Sequence, residues 1–229
     1  MRIKIFQIDM DKDRNCVKFM NSEDLERLQG TKEIDASLYN EVFDGEVEAA
    51  DLEDVYSLFN SDERPALHRG HSMSISDVVK TEDGMYFCDL VGFKKIDFDE
   101  SQTTKPDNLL KVVYVEPNKP AYLAEVEHTL EGEQRAVKGF IECIYCHDDQ
   151  TCVVGNEEAK LMGMEGNRRF NDGKSVIAGP FFVVGLQGDD FRSLTEEEQA
   201  KYLEKYAEPE QISQEEVEAD AGAMFIALK

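Results

Sequence analysis

The chain has 229 residues, 41% of them hydrophobic, five cysteines and a formal net charge of −24 at pH 7. Residues 1–100 carry 12 basic and 24 acidic side chains and residues 101–229 carry 13 and 25, so the acidity is distributed and not confined to a tail. Such a surface repels nucleic acid and anionic membranes, which excludes a direct nucleic-acid binder. No segment approaches the roughly 18 consecutive apolar residues of a membrane span, the opening MRIKIFQIDMDKD has no signal-peptide pattern, and the odd number of cysteines suits reduced thiols. The expectation is a cytoplasmic protein with no membrane partner.

In chain order, Ile3, Ile5 and Ile8 begin a strand, DMDKDRN turns, and CVKFM reads as a returning strand. NSEDLERLQG is a short helix capped by Asn21 or Ser22 and stopped by Gly30. Leu52, Val55, Tyr56 and Phe59 at i, i+3, i+4, i+7 make 51–60 an amphipathic helix, with Asp51 as its cap. Glu82-Asp83-Gly84 turns a hairpin into GMYFCDLVGF. The polar stretch 99–108, punctuated by Pro106, reads as a linker between a domain at 1–98 and another at 109–207. The second domain opens on the strand LLKVVYVEP. A helix follows around 127–138, weakened by Gly132 and stopped by Gly139, then a hairpin at 140–155 and the single strand SVIAGPFFVVGL. Thr195 and Glu198 form a capping box for TEEEQAKYLEKY, and 208–229 reads as an acidic, mobile tail ending in the apolar AMFIAL.

The hairpin holds Cys143, Cys146 and Cys152, and Cys143-x-x-Cys146-His147 has the spacing of half a zinc site, a redox dithiol or a haem anchor. Pairing Cys146 with Thr151 sets Tyr145 opposite Cys152 and puts Cys143 on that same face. Residues three apart in a strand point to opposite sides, so Cys146 then faces away from Cys143. A zinc knuckle needs both thiolates converging on one ion at about 2.3 Å. No metal and no cofactor are therefore expected. NDGKSV at 171–176 ends like a phosphate loop, but Arg168 stands where that motif needs glycine, and a strand follows instead of a helix. No catalytic constellation emerges, so no catalytic residue is assigned.

Two clusters stand out as candidate sites. In RGHSMSISDVV, Met73 and Ile75 alternate inward with Ser72, Ser74 and Ser76 outward, beside Arg69, His71 and Asp77. A row of hydroxyls of this kind suits recognition of a peptide edge or an anion; serines satisfying local backbone are the plainer reading. In GNEEAKLMGMEGNRRF, Asn156, Glu157, Glu158 and Lys160 crowd together with Asn167 and Arg168, a set suited to a small polar ligand or to a turn laced with ion pairs.

These stretches carry a resemblance. Residues 3–98 resemble the YodL-like domain family through IKIFQI, FMNSEDL, LYNEVFDGEV, LEDVYSLFN, RGHSMSISDVV and YFCDLVGF. Residues 109–207 resemble a domain-of-unknown-function family carried by conjugative and other mobile elements of Firmicutes, through LLKVVYVEPNKP, QRAVKGFIE, VVGNEEAKL, Asn167-Arg168, VIAGPFFVVG and DDFRSLTEEE. The resemblance implies a cytoplasmic bacterial protein tied to a mobile element. It also implies that the cysteine positions of the hairpin need only be apolar or aromatic. It supplies no reaction.

The fold expected is α+β, in two small domains, each a mostly antiparallel twisted sheet with helices packed on one face. The function expected is a non-enzymatic protein-binding or regulatory module. The alternatives are an acidic DNA mimic or anti-restriction factor, and a small-ligand binder or enzyme using the second cluster.

Overall fold

The computed structural model describes residues 1–147, 149–171 and 173–227, with side chains at all of these except 145, 146 and 222–227. The fold is α+β, with antiparallel sheets in two compact units, 1–107 and 108–229.

In the first unit, β1 (Arg2–Ile8), α1 (Ser22–Gln29), β2 (Tyr39–Glu46), α2 (Leu52–Phe59), β3 (Val78–Thr81), β4 (Gly84–Cys88) and β5 (Phe93–Ile96) build a five-stranded sheet in the order β2-β1-β3-β4-β5. The helices follow their local signals. The Asn21 side chain accepts from the amides of Glu23 and Asp24, and Gly30 closes α1 at φ 72°. Asp51 caps α2, whose Val55 and Phe59 bury against Ile3, Ile5, Phe43 and Val79, while Tyr56 stays exposed. Leu25 of α1 joins Phe6, Ile8, Tyr39, Val78 and Phe87 in a second cluster.

Two expectations for this unit change. Residues 16–20 form no strand. The Asp13 carboxylate takes the amides of Val17 and Lys18, both at 2.9 Å, and Cys16 and Phe19 adopt φ of 54° and 68°. A side chain has thus replaced the ladder partner a strand would need. The stretch read as a linker also folds with this unit: Thr104 donates its amide to Tyr39 O, accepts from the Glu41 amide and bridges to Asn40.

In the second unit, β6 (Leu109–Val115), β7 (Tyr122–Glu127), α3 (Leu130–Val137), β8 (Ile141–Cys146), β9 (Thr151–Asn156), β10 (Gly166–Phe170), β11 (Ser175–Ala178), β12 (Phe181–Gln187), β13 (Asp190–Arg192), α4 (Glu196–Lys205) and α5 (Gln214–Ala227) follow in order. The main sheet runs β7-β6-β12-β9-β8, with β13 pairing β12, and β10–β11 form a separate ribbon. The run read as one strand, 175–186, is split between these two sheets by Gly179, at φ 70°, and Pro180. A Cβ at Gly132 would stand 2.5 Å from Glu127 O, so that glycine permits α3 to pack where the sequence suggested a weak point.

The helices of this unit divide between the faces of the sheet. Tyr114 donates to Ala136 O of α3 at 2.5 Å, while Val113, Val115, Val153 and Phe181 pack with Tyr202 and Tyr206 at the α4 end. The apolar run LLKVVYV is buried on both sides, as a doubly covered strand requires. The segment read as a tail is also folded. Val217 of α5 is fully buried with Ile212 nearby, and Asp220 accepts from Lys160 at 2.6 Å and from Ser175 at 2.7 Å. The side chains of the terminal AMFIAL lie outside the described residues.

The β8–β9 hairpin differs from the parity argument. Cys146 stands opposite Cys152, not Thr151, and the register slips between Cys143, which pairs with Val154, and Tyr145, which pairs with Val153. This bulge adds one residue to β8 between the two pairs. The 171–176 stretch joins β10 to β11 as a turn, with Asn171 and Gly173 at positive φ; Asp172 lies outside the described residues.

Candidate functional site

The Arg69–Asp77 segment lies in irregular chain that becomes strand only at Val78. Met73 is buried as expected, but Ser76 and Asp77 are buried too, and only Ser72 of the three serines is well exposed. The hydroxyls therefore form no outward row. What organises the segment is Gln7, a buried polar residue near the end of β1. Its amide nitrogen donates to Asp77 Oδ2 at 2.8 Å and to His71 O at 3.0 Å, and its oxygen accepts the His71 amide at 3.0 Å. The Ser74 amide donates to the same Asp77 oxygen at 2.8 Å. A Cβ at Gly70 would collide with the Gln7 oxygen, so only glycine lets the chain come this close.

Burial pushes the Asp77 carboxyl up to about 7, against the hydrogen bonds from Ser74 and Gln7, and its Oδ1 is buried without a partner. His71 Nδ1 lies 2.6 Å from Ser72 O. A carbonyl only accepts, so Nδ1 carries the proton, and the 3.2 Å approach of the Gln7 amide to Nδ1 is a contact between two donors. Nε2 is then the bare nitrogen, buried without a partner, and burial lowers the imidazole pKa.

Above this network sits Phe19, whose ring lies 6.0 Å from the His71 ring. Its amide donates to Ser76 Oγ at 3.0 Å. Ser76, at φ 77°, donates its own amide to Cys88 O and accepts from Tyr39 OH at 2.9 Å. Three non-glycine residues of positive φ, Cys16, Phe19 and Ser76, thus fall in two segments joined by one bond. Nearby in the chain of contacts, Asp89 accepts from Ser22 Oγ at 2.6 Å and pairs with Lys94 at 2.7 Å. Burial works against that carboxylate, but Lys94 and Ser22 hold it down at about 2. Asp89 opens the turn of Leu90 and Val91, and Phe19, Leu90 and Val91 are 55%, 69% and 87% exposed. Arg69 serves the scaffold: its guanidinium reaches Glu41 O at 3.2 Å and the Glu41 carboxylate at 3.6 Å.

The side chains of the second cluster are engaged with separate partners. Asn167 donates to Val115 O at 3.0 Å and Gly179 O at 2.7 Å. Buried Arg168 donates to Asn167 O, Asn167 Oδ1, Lys119 O and Tyr206 O at 2.8–3.0 Å. Asn156 donates to Lys138 O at 2.9 Å and accepts the Glu158 amide at 2.8 Å. Glu157 and Glu158 are exposed, and Lys160 is tied to Asp220. A shallow concavity of about 350 Å³ lies elsewhere in this unit, lined by His128, Glu133, Asp190 and Phe191 among others. Among the described residues, no group of three His, Cys, Asp or Glu side chains is placed to hold a metal ion, and no helix is long and apolar enough to cross a membrane.

With this geometry in view, the comparisons divide the chain as its contacts do. Residues 2–98 match the YodL-like domain. Residues 110–207 match the family described as Domain of unknown function (DUF3846). No curated protein and no solved structure matches the chain. The residues that sequence reasoning missed are Gln7, Phe19, Asp89, Leu90 and Val91, all within the YodL-like span. The available signals were a glutamine interrupting IKIFQI and apolar residues in the turns KFM and DLVG.

Proposed function

We propose that the YodL-like domain is a protein-docking module that acts by binding and not by catalysis, as an accessory of a mobile element. The observation that carries this reading is Phe19. It is a large apolar side chain held in the open at positive φ, on a polar scaffold that contains two further non-glycine positive-φ residues and a buried carboxyl. Backbone strain of this kind persists where surrounding structure enforces it, and it concentrates at functional sites. With Leu90 and Val91 exposed on the turn that follows Asp89, Phe19 offers apolar anchors of the kind that dominate protein interfaces. Of the residues first singled out by the alternating serines, His71 borders Phe19 and Ser72 is exposed beside it in sequence, while Arg69, Ser74, Ser76 and Asp77 hold the frame. The partner suited to this surface is a protein that presents an apolar pocket, with basic residues around it to meet the surplus of carboxylates.

A photo-crosslinking residue at Val91, introduced in the native host, tests this reading. The result expected is a discrete adduct that survives high salt and is lost with Phe19→Ala in a chain that still folds. Adducts unchanged by Phe19→Ala and identical from a probe at Leu161 would overturn it. Adducts confined to basic, DNA-binding proteins and dissolved by salt would favour the DNA-mimic reading. The mimic reading draws support from the net charge of −24, but basic side chains are interleaved with the acids in both units, as in Lys4–Glu41, Lys80–Glu100, Arg135–Glu127 and Arg169–Glu216. The small-ligand reading has the least support, because Asn156, Asn167 and Arg168 are engaged with the backbone.

A further inference from the structure

The concavity of the second unit lies between the first turn of α3 and the turn that leads from β12 into β13. Gly132, by lacking a Cβ, lets that first turn close on Glu127, and the next side chain, Glu133, lines the concavity while only 6% exposed. The helix end does not need this carboxylate. Thr129 Oγ1 accepts the Gly132 amide at 3.0 Å, and Thr129 O accepts the Glu133 amide at 2.9 Å. Among the described residues no hydrogen bond reaches the Glu133 carboxylate, and His128 Nε2 stays 3.9 Å from it. The same nitrogen lies 3.0 Å from Asp190 Oδ1. A carboxylate only accepts, so Nε2 carries a proton, and that one proton is given to Asp190.

A buried carboxylate left without a donor is costly, and the cost is recovered when a ligand supplies the donor. Burial pushes the Glu133 carboxyl above its ordinary range, a charged His128 opposes the push, and Asp190 adds to it. No lysine or arginine is among the lining residues, and Asp189 brings a third carboxylate. The unmet demand is for a cation with several N–H donors. A metal ion does not suit it, because among the described residues no three His, Cys, Asp or Glu side chains are placed to hold one. A guanidinium does: its planar fork can serve two carboxylates at once, it sheds water more readily than an ammonium, and it stacks on aromatic rings. Leu130, 56% exposed, and Phe191 supply apolar wall for the stem that carries it. We infer that this concavity, of about 350 Å³, is a binding site for a guanidinium group on an apolar stem, with Glu133 as the buried anchor and Asp190 as the second acceptor. The site is independent of the docking surface on the first unit.

The test uses the full chain, isotope-labelled and followed by amide chemical shifts at about physiological ionic strength. It is titrated with butylguanidinium and, separately, with the capped tripeptide acetyl-Gly-Arg-Gly-amide. The site requires saturable shifts at Gly132, Glu133, Asp190 and Phe191 with at least one of the two probes. Tighter binding of the tripeptide makes the source an arginine side chain of a protein, and tighter binding of butylguanidinium makes it a free small molecule. Glu133→Gln, which keeps the shape and removes the charge, should weaken binding about 10-fold or more. Asp190→Asn should weaken it about 3-fold, which keeps the test informative if Glu133→Gln misfolds. Glu204→Gln, the same change of charge at an exposed position of α4, should leave binding unchanged. Shifts that never saturate, or equal binding by the wild-type chain and Glu133→Gln, would overturn the assignment.

Discussion

Two buried polar clusters, one in each unit, arise from similar sequence signals and do different things. Around Asn167 and Arg168, side chains donate to the backbone carbonyls of residues 115, 119, 167, 179 and 206, tying β6, β10 and the end of α4 into one frame. Around Gln7 and Asp77, the groups bond mainly among themselves and leave Asp77 Oδ1 and His71 Nε2 buried without partners, beneath an exposed aromatic ring. Polar residues crowded in sequence thus mark internal scaffolding in one unit and the underside of a surface in the other. The contrast lies in where the hydrogen bonds end and in what stands above them.

The contrast breaks most decisively at Arg168. Arg168→Met removes the donors to three carbonyls and one amide oxygen, three of these bonds being buried, and should cost the second unit about 3–5 kcal/mol in urea unfolding. A loss below about 1 kcal/mol would mean that the cluster is not a frame. Asp77→Asn should act in the opposite direction. The folded carboxyl titrates near 7 against an ordinary value of 3.8, so the folded state holds the proton more firmly than the unfolded one. The contribution of this group to stability is therefore greatest below about 4, falls as pH rises towards 7, and is flat above that. Asparagine removes the charge while still accepting from Ser74. It should stabilise the first unit by about 1–3 kcal/mol at pH 8 and leave little difference at pH 4, in paired denaturation curves.

A smaller effect is expected at Glu198, whose carboxylate is held at about 2 by Arg192 and by the Thr195 cap. Its contribution is complete above its ordinary 4.5 and is lost as pH falls through about 2. Glu198→Gln should cost the second unit about 1 kcal/mol at pH 7, and nothing measurable once both states are protonated. Phe19→Ala should change stability least, by under about 0.5 kcal/mol, because the ring packs mainly on solvent. A large destabilisation there would make Phe19 a core residue and remove the distinction between the two clusters.

The elements whose determinants are local were legible in the sequence. Asn21 and Gly30 bound α1 as expected, and the reciprocal bonds of Thr195 and Glu198 open α4. What escaped reading depends on partners distant in the chain. The strand expected at 16–20 is absent because Asp13 and Ser76 claim its amides, and no local pattern announces a bond across 57 positions. The supposed tail folds because Val217 and Asp220 find the β10–β11 ribbon, which composition cannot show. In the hairpin, one bulged residue moved the partners of Tyr145 and Cys146 by one position from the register expected. The serine-rich segment was singled out for outward hydroxyls, yet Ser74, Ser76 and Asp77 form the frame, and the exposed ring comes from a stretch mistaken for a strand.

The most direct test is the affinity of the partner captured through Val91, measured by titration calorimetry against the wild-type chain and against Phe19→Ala. Loss of a central aromatic anchor typically costs 2 kcal/mol or more, which predicts binding weakened about 30-fold or beyond at unchanged thermal stability. Equal affinity for the two chains would contradict the docking role assigned to this surface.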